Sequence, residues 1–238
     1  MQRYFASKNS KHEIIIANDD IFHITKVMRM KKGDCFELNL DGDIYLCSVK
    51  ETSPFSYEIL EKKEENHEIH GYIRLLYCIP KGEKIDLVIQ KAVELGANEI
   101  VLINSERSIA KITDENKEKK LLRFSKIIKE AAEQSKRTIL PILKDVISFK
   151  NIKDYPADLS LIAYENTKMT LDDLEIELKN SANKTVNVIV GAEGGLSKDE
   201  VNYAISLNYK EISLGKRILR SETACFYILS LLSFYMDR

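Results

Sequence analysis

The sequence predicts an α/β protein in which a parallel sheet follows a smaller β-rich region. From residue 72 onward, apolar runs of strand length alternate with segments of helical periodicity, which is typical of β-α-β units with parallel strands. Residues 1–70 instead contain short β-prone runs separated by turn-forming residues. We therefore expect two domains, a β-rich one over residues 1–70 and an α/β one over residues 71–238.

The β-rich region shows one clear hairpin. Its candidate strands are EIIIA, CFELNL, DIYLCSV and SYEIL, and the Asp41-Gly42-Asp43 turn between two of them favours a hairpin. One short helical stretch is expected between Ile21 and Met30. Residues 61–70, EKKEENHEIH, are polar and charged and are predicted to form a linker or an exposed loop.

The α/β region begins with a complete strand-helix-strand unit. The apolar run YIRLLYCI is followed by a helical pattern ending at Gly96, and then by the strand EIVLIN. A long basic helix is predicted over residues 115–137. The runs LSLIAY, VNVIV and EISLG are further buried strands, and a largely apolar last helix at about 222–236 is expected in the core or at a subunit contact.

Composition excludes several classes of protein. The net charge of -1 leaves no overall attraction for nucleic acid, so any such affinity must come from a local basic face. The four cysteines form no CxxC pair, and the His67/His70 pair is isolated, so we expect no metal site. The chain contains neither an apolar run of about 18 residues, as a membrane span needs, nor a signal-type segment, which predicts a cytoplasmic protein.

Three loops that follow predicted strands could form one ligand pocket. VIVGAEGGLSKDEV places Gly191, Gly194 and Gly195 between a strand and a helix that Ser197 and Glu200 are expected to cap. Gly215 follows a second strand, and Glu165 a third. Ligands of open α/β sheets bind at such strand ends, although the glycines could also serve turn geometry alone. Neither a G-x-G-x-x-G nor a P-loop pattern is present, which argues against a dinucleotide-dependent oxidoreductase.

Five segments together resemble one family. VIVGAEGGLSKDEV and LGKRILRSETA are similar to two signature segments of the 16S ribosomal RNA uridine-N3 methyltransferase family of the SPOUT superfamily. HITKVMRMKKGD, KAVELGANEI, and RFSKIIKEAAEQSKR with a following LP resemble other segments of this family in the same order, so the resemblance covers nearly the whole chain. The sequence departs from the family at Ala192, where proline is usual, and at Tyr164, where proline often precedes the glutamate.

The resemblance implies a fold and a reaction. The family has a PUA-like β-barrel followed by an α/β domain with a deep trefoil knot, and its members are homodimers with the pocket near the subunit interface. The methyl donor is S-adenosyl-L-methionine, and the acceptor is N3 of one uridine in the 16S rRNA of the small ribosomal subunit. A SPOUT enzyme acting on another RNA position and a non-catalytic RNA-binding module remain alternatives.

The resemblance also implies site residues. The expected cofactor-binding residues are Tyr164, Glu165, Gly191, Glu193, Gly194, Gly195, Leu214, Gly215, Ile218, Leu219 and Arg220. Arg220 is the leading catalytic candidate, because a cation would stabilise charge on the uracil oxygens, and Arg137 from a partner subunit is the second. Glu193 either acts as a base or only orders its turn, and Ser221 and Glu222 could simply cap the last helix.

RNA binding is assigned to basic and polar side chains in two regions. The candidates are Arg3, Lys26, Arg29, Lys31, Lys32, Arg123 and Gln134. Each could instead belong to a solvated charged face, but phosphate contacts are cumulative and clusters are therefore the better candidates.

Overall fold

The chain forms two compact units. The computed structural model describes residues 1–10, 13–82 and 84–237. Unit 1 comprises residues 1–68 together with residues 132–140, and unit 2 comprises residues 69–131 and residues from 141 onward. Unit 1 is therefore built from two separate stretches of the chain, whereas the sequence suggested two continuous domains.

Unit 1 contains a five-stranded sheet in the order β2-β1-β3-β4-β5. Strand β1 is parallel to β3, and the other neighbouring strands are antiparallel. A short helix, α1, continues into a π-helical turn over His23–Val27. The elements are β1 (Arg3–Lys8), β2 (Ile14–Ile15), α1 (Asn18–Phe22), β3 (Cys35–Leu40), β4 (Asp43–Thr52) and β5 (Phe55–Lys63).

The predicted hairpin joins β3 and β4. Asp41 and Gly42 both have positive φ, 54° and 94°, the conformation that favours an Asp-Gly pair in a tight hairpin. Strand β5 runs on to Lys63, so the first residues of the expected linker belong to the sheet. Strand β1 was not predicted, because its polar residues hide the pattern of a buried strand.

Arg3 in β1 corrects one prediction. Its side chain is fully buried, with Nε 3.1 Å from Glu37 Oε2 and Nη2 2.8 Å from Glu65 Oε2. Nη1 donates to the carbonyl of Lys136 at 2.6 Å. A guanidinium without solvent access and with three acceptors cannot reach an RNA phosphate, so Arg3 has a structural role in unit 1.

Unit 2 is built on a parallel sheet in the order β12-β10-β11-β6-β7-β8, with β9 also paired to β7. The strands are β6 (Tyr72–Cys78), β7 (Glu99–Asn104), β8 (Ile142–Leu143), β9 (Ile147–Ser148), β10 (Leu159–Ala163), β11 (Thr185–Val190) and β12 (Lys210–Ile212). The helices are α2 (Lys84–Glu94), α3 (Asp114–Gln134), α4 (Leu171–Lys179), α5 (Lys198–Ser206) and α6 (Ser221–Met236). The last three residues of α3 belong to unit 1.

Local sequence accounts for these elements. Helix α2 buries one apolar stripe, including Val88 and Ala92, and Gly96 follows it with φ +90°. The predicted capping box of α5 is present, since the Ser197 hydroxyl accepts from the Glu200 amide while the Glu200 carboxylate accepts from the Ser197 amide. Strands β6 and β11 lie inside the sheet, which explains their continuous apolar runs.

No helix within the described part of the chain is long and apolar enough to cross a membrane.

Candidate functional site

The cavity lies at the carboxyl edge of three neighbouring strands of unit 2. Strands β10, β11 and β12 are parallel, so the loops that follow them meet at one edge of the sheet. These loops line a cavity of about 620 Å³. All eleven predicted cofactor residues line it, namely Tyr164, Glu165, Gly191, Glu193, Gly194, Gly195, Leu214, Gly215, Ile218, Leu219 and Arg220. The loops therefore converge as predicted, while cofactor binding by these residues stays a prediction.

The glycines after β11 are needed for close backbone packing. A Cβ on Gly194 would lie 3.0 Å from the carbonyl oxygen of Arg107, and one on Gly191 would lie 3.2 Å from the carbonyl carbon of Gly195. Gly195 has φ +66°, and its amide donates to the Ala192 carbonyl at 2.9 Å. Turn geometry thus accounts for all three glycines, and the same compact turn brings their backbone to the cavity wall.

Glu193 is held by neighbouring donors. Its carboxylate accepts from the Lys81 amide at 3.1 Å and lies 3.3 Å from Lys84 Nζ, which also lies 3.3 Å from Glu222 Oε1. Burial alone would raise the pKa of Glu193, but hydrogen bonds from its own amide, the Lys81 amide and the Lys84 ammonium outweigh burial and lower it. An ionised, fully engaged carboxylate favours the interpretation that Glu193 orders the turn.

Ser221 connects two walls of the cavity. Its Oγ donates to the Gly191 carbonyl at 2.5 Å and lies 2.9 Å from the Tyr77 hydroxyl. The N-cap of α6 is Arg220, which makes no side-chain capping bond, so the capping interpretation of Ser221 was wrong. The link between the α6 start and the end of β11 could not be predicted, because its members are far apart in sequence.

Tyr77 must be the donor of the second bond. The single Ser221 hydroxyl proton is already directed to Gly191, so Ser221 Oγ accepts from Tyr77. Tyr77 is fully buried, and this burial raises its pKa far above the usual value. The hydroxyl therefore stays protonated, and Tyr77, Ser221 and Gly191 form a directed chain of two hydrogen bonds.

Arg220 lies at the cavity wall with an exposed side chain, and Lys216 and Arg217 of the same loop line the cavity as well. On the β10 side, the Tyr164 amide donates to the Ile212 carbonyl at 3.1 Å, which joins the β10 and β12 loops. Glu165 Oε1 lies 3.5 Å from the position of a Cβ on Gly195.

The other predicted residues lie outside this cavity. Arg137 belongs to unit 1, where its Nη2 lies 2.5 Å from Glu68 Oε2 and only 4% of its side chain is exposed. Arg123 is paired with Asp86 at 2.5 Å in unit 2. The remaining RNA candidates, Lys26, Arg29, Lys31, Lys32 and Gln134, are exposed in unit 1.

Two family models match the chain. Residues 67–233 match an RNA methyltransferase domain, and residues 16–59 match an RNA methyltransferase PUA domain. The first match covers most of unit 2, and the second lies within unit 1.

Curated relatives and solved structures agree with these matches. Proteins named ribosomal RNA small subunit methyltransferase E from Bacillus subtilis and Mesomycoplasma hyopneumoniae are each 33% identical, over 100% and 97% of this chain and 98% of their own length. The enzyme of that name from Neisseria gonorrhoeae, bound to S-adenosyl methionine, superposes with a TM-score of 0.85 and 26% identity, over 98% of this chain and 97% of that one. A putative methyltransferase from Legionella pneumophila with bound SAM gives a TM-score of 0.86 and 27% identity, over 98% of both chains. The chain belongs to the ribosomal RNA small subunit methyltransferase E family, with a PUA-like unit before its parallel-sheet α/β unit.

Proposed function

We propose that this protein methylates N3 of one uridine in 16S rRNA, with S-adenosyl-L-methionine as methyl donor, in the cytoplasm. The observation that supports this most directly is the single cavity lined by all eleven residues expected to bind the donor. The curated names of full-length relatives indicate small-subunit ribosomal RNA as substrate, and the donor is bound in two similar structures.

The cavity fits a ligand of the donor's size and chemistry. Its volume of about 620 Å³ falls within the range of about 300–1,000 Å³ that is usual for small-molecule sites. Gly191 and Gly194 lack the Cβ atoms that would collide with Gly195 and Arg107, so the turn stays compact and its backbone forms one wall of the cavity. The Tyr164–Glu165 loop and the loop around Gly215 provide the other walls.

The first task of the cavity residues is to align the donor with the acceptor base. The donor, when bound, supplies a methyl group that is already activated on a sulfonium, so the protein must chiefly align the reacting atoms, and positioning can contribute about 7–11 kcal/mol. The Tyr77–Ser221–Gly191 chain fixes two walls relative to one another and serves this alignment.

Arg220 is proposed to stabilise charge on the acceptor. Uracil N3 becomes a nucleophile when its proton leaves, and negative charge then spreads onto the two carbonyl oxygens. The exposed guanidinium of Arg220, at the mouth of the cavity, is suited to donate to such an oxygen. Glu193, held by Lys84, is proposed to keep the glycine turn in place.

We propose a homodimer with a trefoil knot in unit 2, as the family resemblance implies. Exposed apolar side chains in unit 2 support a subunit contact: Ile218 is 82% exposed, and Tyr227 and Phe234 of α6 are 36% and 50% exposed. A role for Arg137 in a partner's site would require its ion pair with Glu68 to open. Sedimentation equilibrium tests the dimer, and a monomer at micromolar concentration would contradict it.

RNA binding by unit 1 is proposed for the exposed cations Lys26, Arg29, Lys31 and Lys32. Charge reversal at Arg29 and Lys32 should weaken RNA binding and flatten its salt dependence, because fewer counterions are released. Filter binding at several salt concentrations measures both effects, and an unchanged slope would remove these residues from the interface.

The direct test of function is mass mapping of 16S rRNA from a strain that lacks the gene. We expect one N3-methyluridine to disappear, and the purified protein with S-adenosylmethionine to restore it on the mutant small subunits. Persistence of every methyluridine would reject the proposed substrate. Calorimetric titration with the donor separates the alternative of a non-catalytic module, for which no heat of binding is expected.

A further inference from the structure

The loop between β12 and α6 holds three cations for which the described residues provide no carboxylate partner. Several cations of unit 2 are held by a neighbouring acid, as in Arg74 with Glu99 and Lys210 with Glu177. Within the described part of the chain, Lys216, Arg217 and Arg220 take part in none of the ion pairs, and all three are exposed along the cavity wall.

The cavity mouth is therefore positive although the whole chain is slightly negative. The lining contains three cations against two carboxylates, Glu165 and Glu193. Glu193 and Glu222 share the ammonium of Lys84, whose Nζ lies 3.3 Å from each, so both carboxylates are already engaged although one negative charge of this group remains. The three cations of the loop still outnumber the charge of Glu165 and this remaining charge. The exposed cations of this loop are therefore free to bind an anionic ligand.

We propose that Lys216 and Arg217 bind the phosphates on either side of the target nucleotide, so that unit 2 itself binds the RNA backbone at the cavity mouth. This inference rests on the proposed function. A base that enters the cavity remains linked through its ribose to two phosphates, which then lie at the entrance, where these two side chains are exposed. Arg220, next to the start of α6, remains available to contact the uracil base.

The donor's carboxylate is another anion that could meet these cations, and the two anions are distinguished by separate measurements. Phosphate contacts release counterions, and each contact changes the slope of log affinity against log salt by about 0.7–1. Loss of two phosphate contacts should therefore lower this slope by about 1.5. Loss of a contact to the donor's carboxylate would instead lower the affinity for the donor alone.

The test compares Lys216→Gln/Arg217→Gln with the control Lys150→Gln/Lys153→Gln. The control removes two exposed charges from the 3-10 helix Phe149–Asp154 of unit 2, and neither residue lines the cavity. Affinity for unmethylated 16S rRNA is measured by filter binding from low to high salt, donor affinity by calorimetry, and KM and kcat by methyl transfer.

For the cavity variant we expect a salt slope lower by about 1.5 and a KM for rRNA higher by about tenfold, with donor affinity and kcat close to wild type. The control should match the wild type. Lower donor affinity with an unchanged salt slope for rRNA binding would overturn the proposal and assign the two cations to the donor's carboxylate. A variant with wild-type donor affinity and a wild-type salt slope would also overturn it. Failure of the proposed function is a different result, because the wild-type protein would then transfer no methyl group to rRNA.

Discussion

Removal of the Ser221 hydroxyl should destabilise unit 2 by more than an ordinary surface mutation. In Ser221→Ala, the buried Tyr77 hydroxyl loses its partner Ser221 Oγ, which lies at 2.9 Å, and the Gly191 carbonyl loses a donor at 2.5 Å. An unsatisfied buried hydroxyl costs about 1–3 kcal/mol, and loss of the second hydrogen bond costs about 0.5–1.5 kcal/mol. We therefore expect the free energy of unfolding to fall by about 2–4 kcal/mol, with weaker donor binding because two cavity walls are no longer joined.

A double-mutant cycle tests the direction of the hydrogen-bond chain. Tyr77→Phe alone should cost only about 1 kcal/mol, because Ser221 keeps its bond to Gly191. The double variant should be no less stable than Ser221→Ala, since no buried hydroxyl is then left unpaired, and Ser221→Thr should restore most of the stability. Urea unfolding followed by circular dichroism measures these values. Strictly additive losses, or a Ser221→Ala variant as stable as wild type, would refute the assigned chain.

Three further variants test other parts of the account. Gly194→Val should lower donor affinity by more than about tenfold in calorimetry, because its Cβ would lie 3.0 Å from the Arg107 carbonyl oxygen and push the turn out of place; wild-type affinity would contradict this. Arg220→Ala should lower kcat by about 100-fold while donor affinity stays near wild type, and unchanged turnover would remove Arg220 from the mechanism. Burial would raise the pKa of Glu37, but bonds from Lys136 and Lys63 outweigh it and lower the pKa from 4.5 to about 2. Since the folded pKa is the lower one, Glu37 contributes about 3 kcal/mol above pH 5 that is lost as the pH falls towards 2. Glu37→Gln should remove this part of the pH dependence of urea unfolding, and an identical pH profile would exclude it.

Periodicity and turn chemistry predicted most of unit 2. Strands β6, β7, β10, β11 and β12 were identified because buried parallel strands are continuous apolar runs, and the Ser197/Glu200 capping box marked the start of α5. Helix α4 and the two-residue strands β8 and β9 were missed. The short strands are too brief to show a period, and they exist because neighbouring strands provide their partners.

In unit 1, local patterns were less informative. Strand β1 was missed because Arg3 lies in it, and only the tertiary acceptors Glu37 and Glu65 make its burial possible. The same long-range pairing made Arg3 a wrong candidate for RNA. Residues 132–140 belong to unit 1 through contacts such as Glu68 with the Thr138 amide at 2.8 Å, which no local signal reveals.

For the candidate site, loop positions could be predicted but side-chain partners could not. Glycine turns after two parallel strands, and the loop with Glu165 after a third, predicted the three cavity walls. The Ser221 link to Tyr77 and Gly191, and the bridge from Lys84 to Glu193 and Glu222, join residues distant in sequence and appear only in the folded chain.

We propose that three strand-end loops of unit 2 form one site for the methyl donor. A crystal structure of the protein with S-adenosylmethionine tests it most directly. We expect the donor in the cavity, in contact with residues 164–165, 191, 193–195, 214–215 and 218–220. Density for the donor at another place, or a cavity closed by its own side chains, would contradict the account.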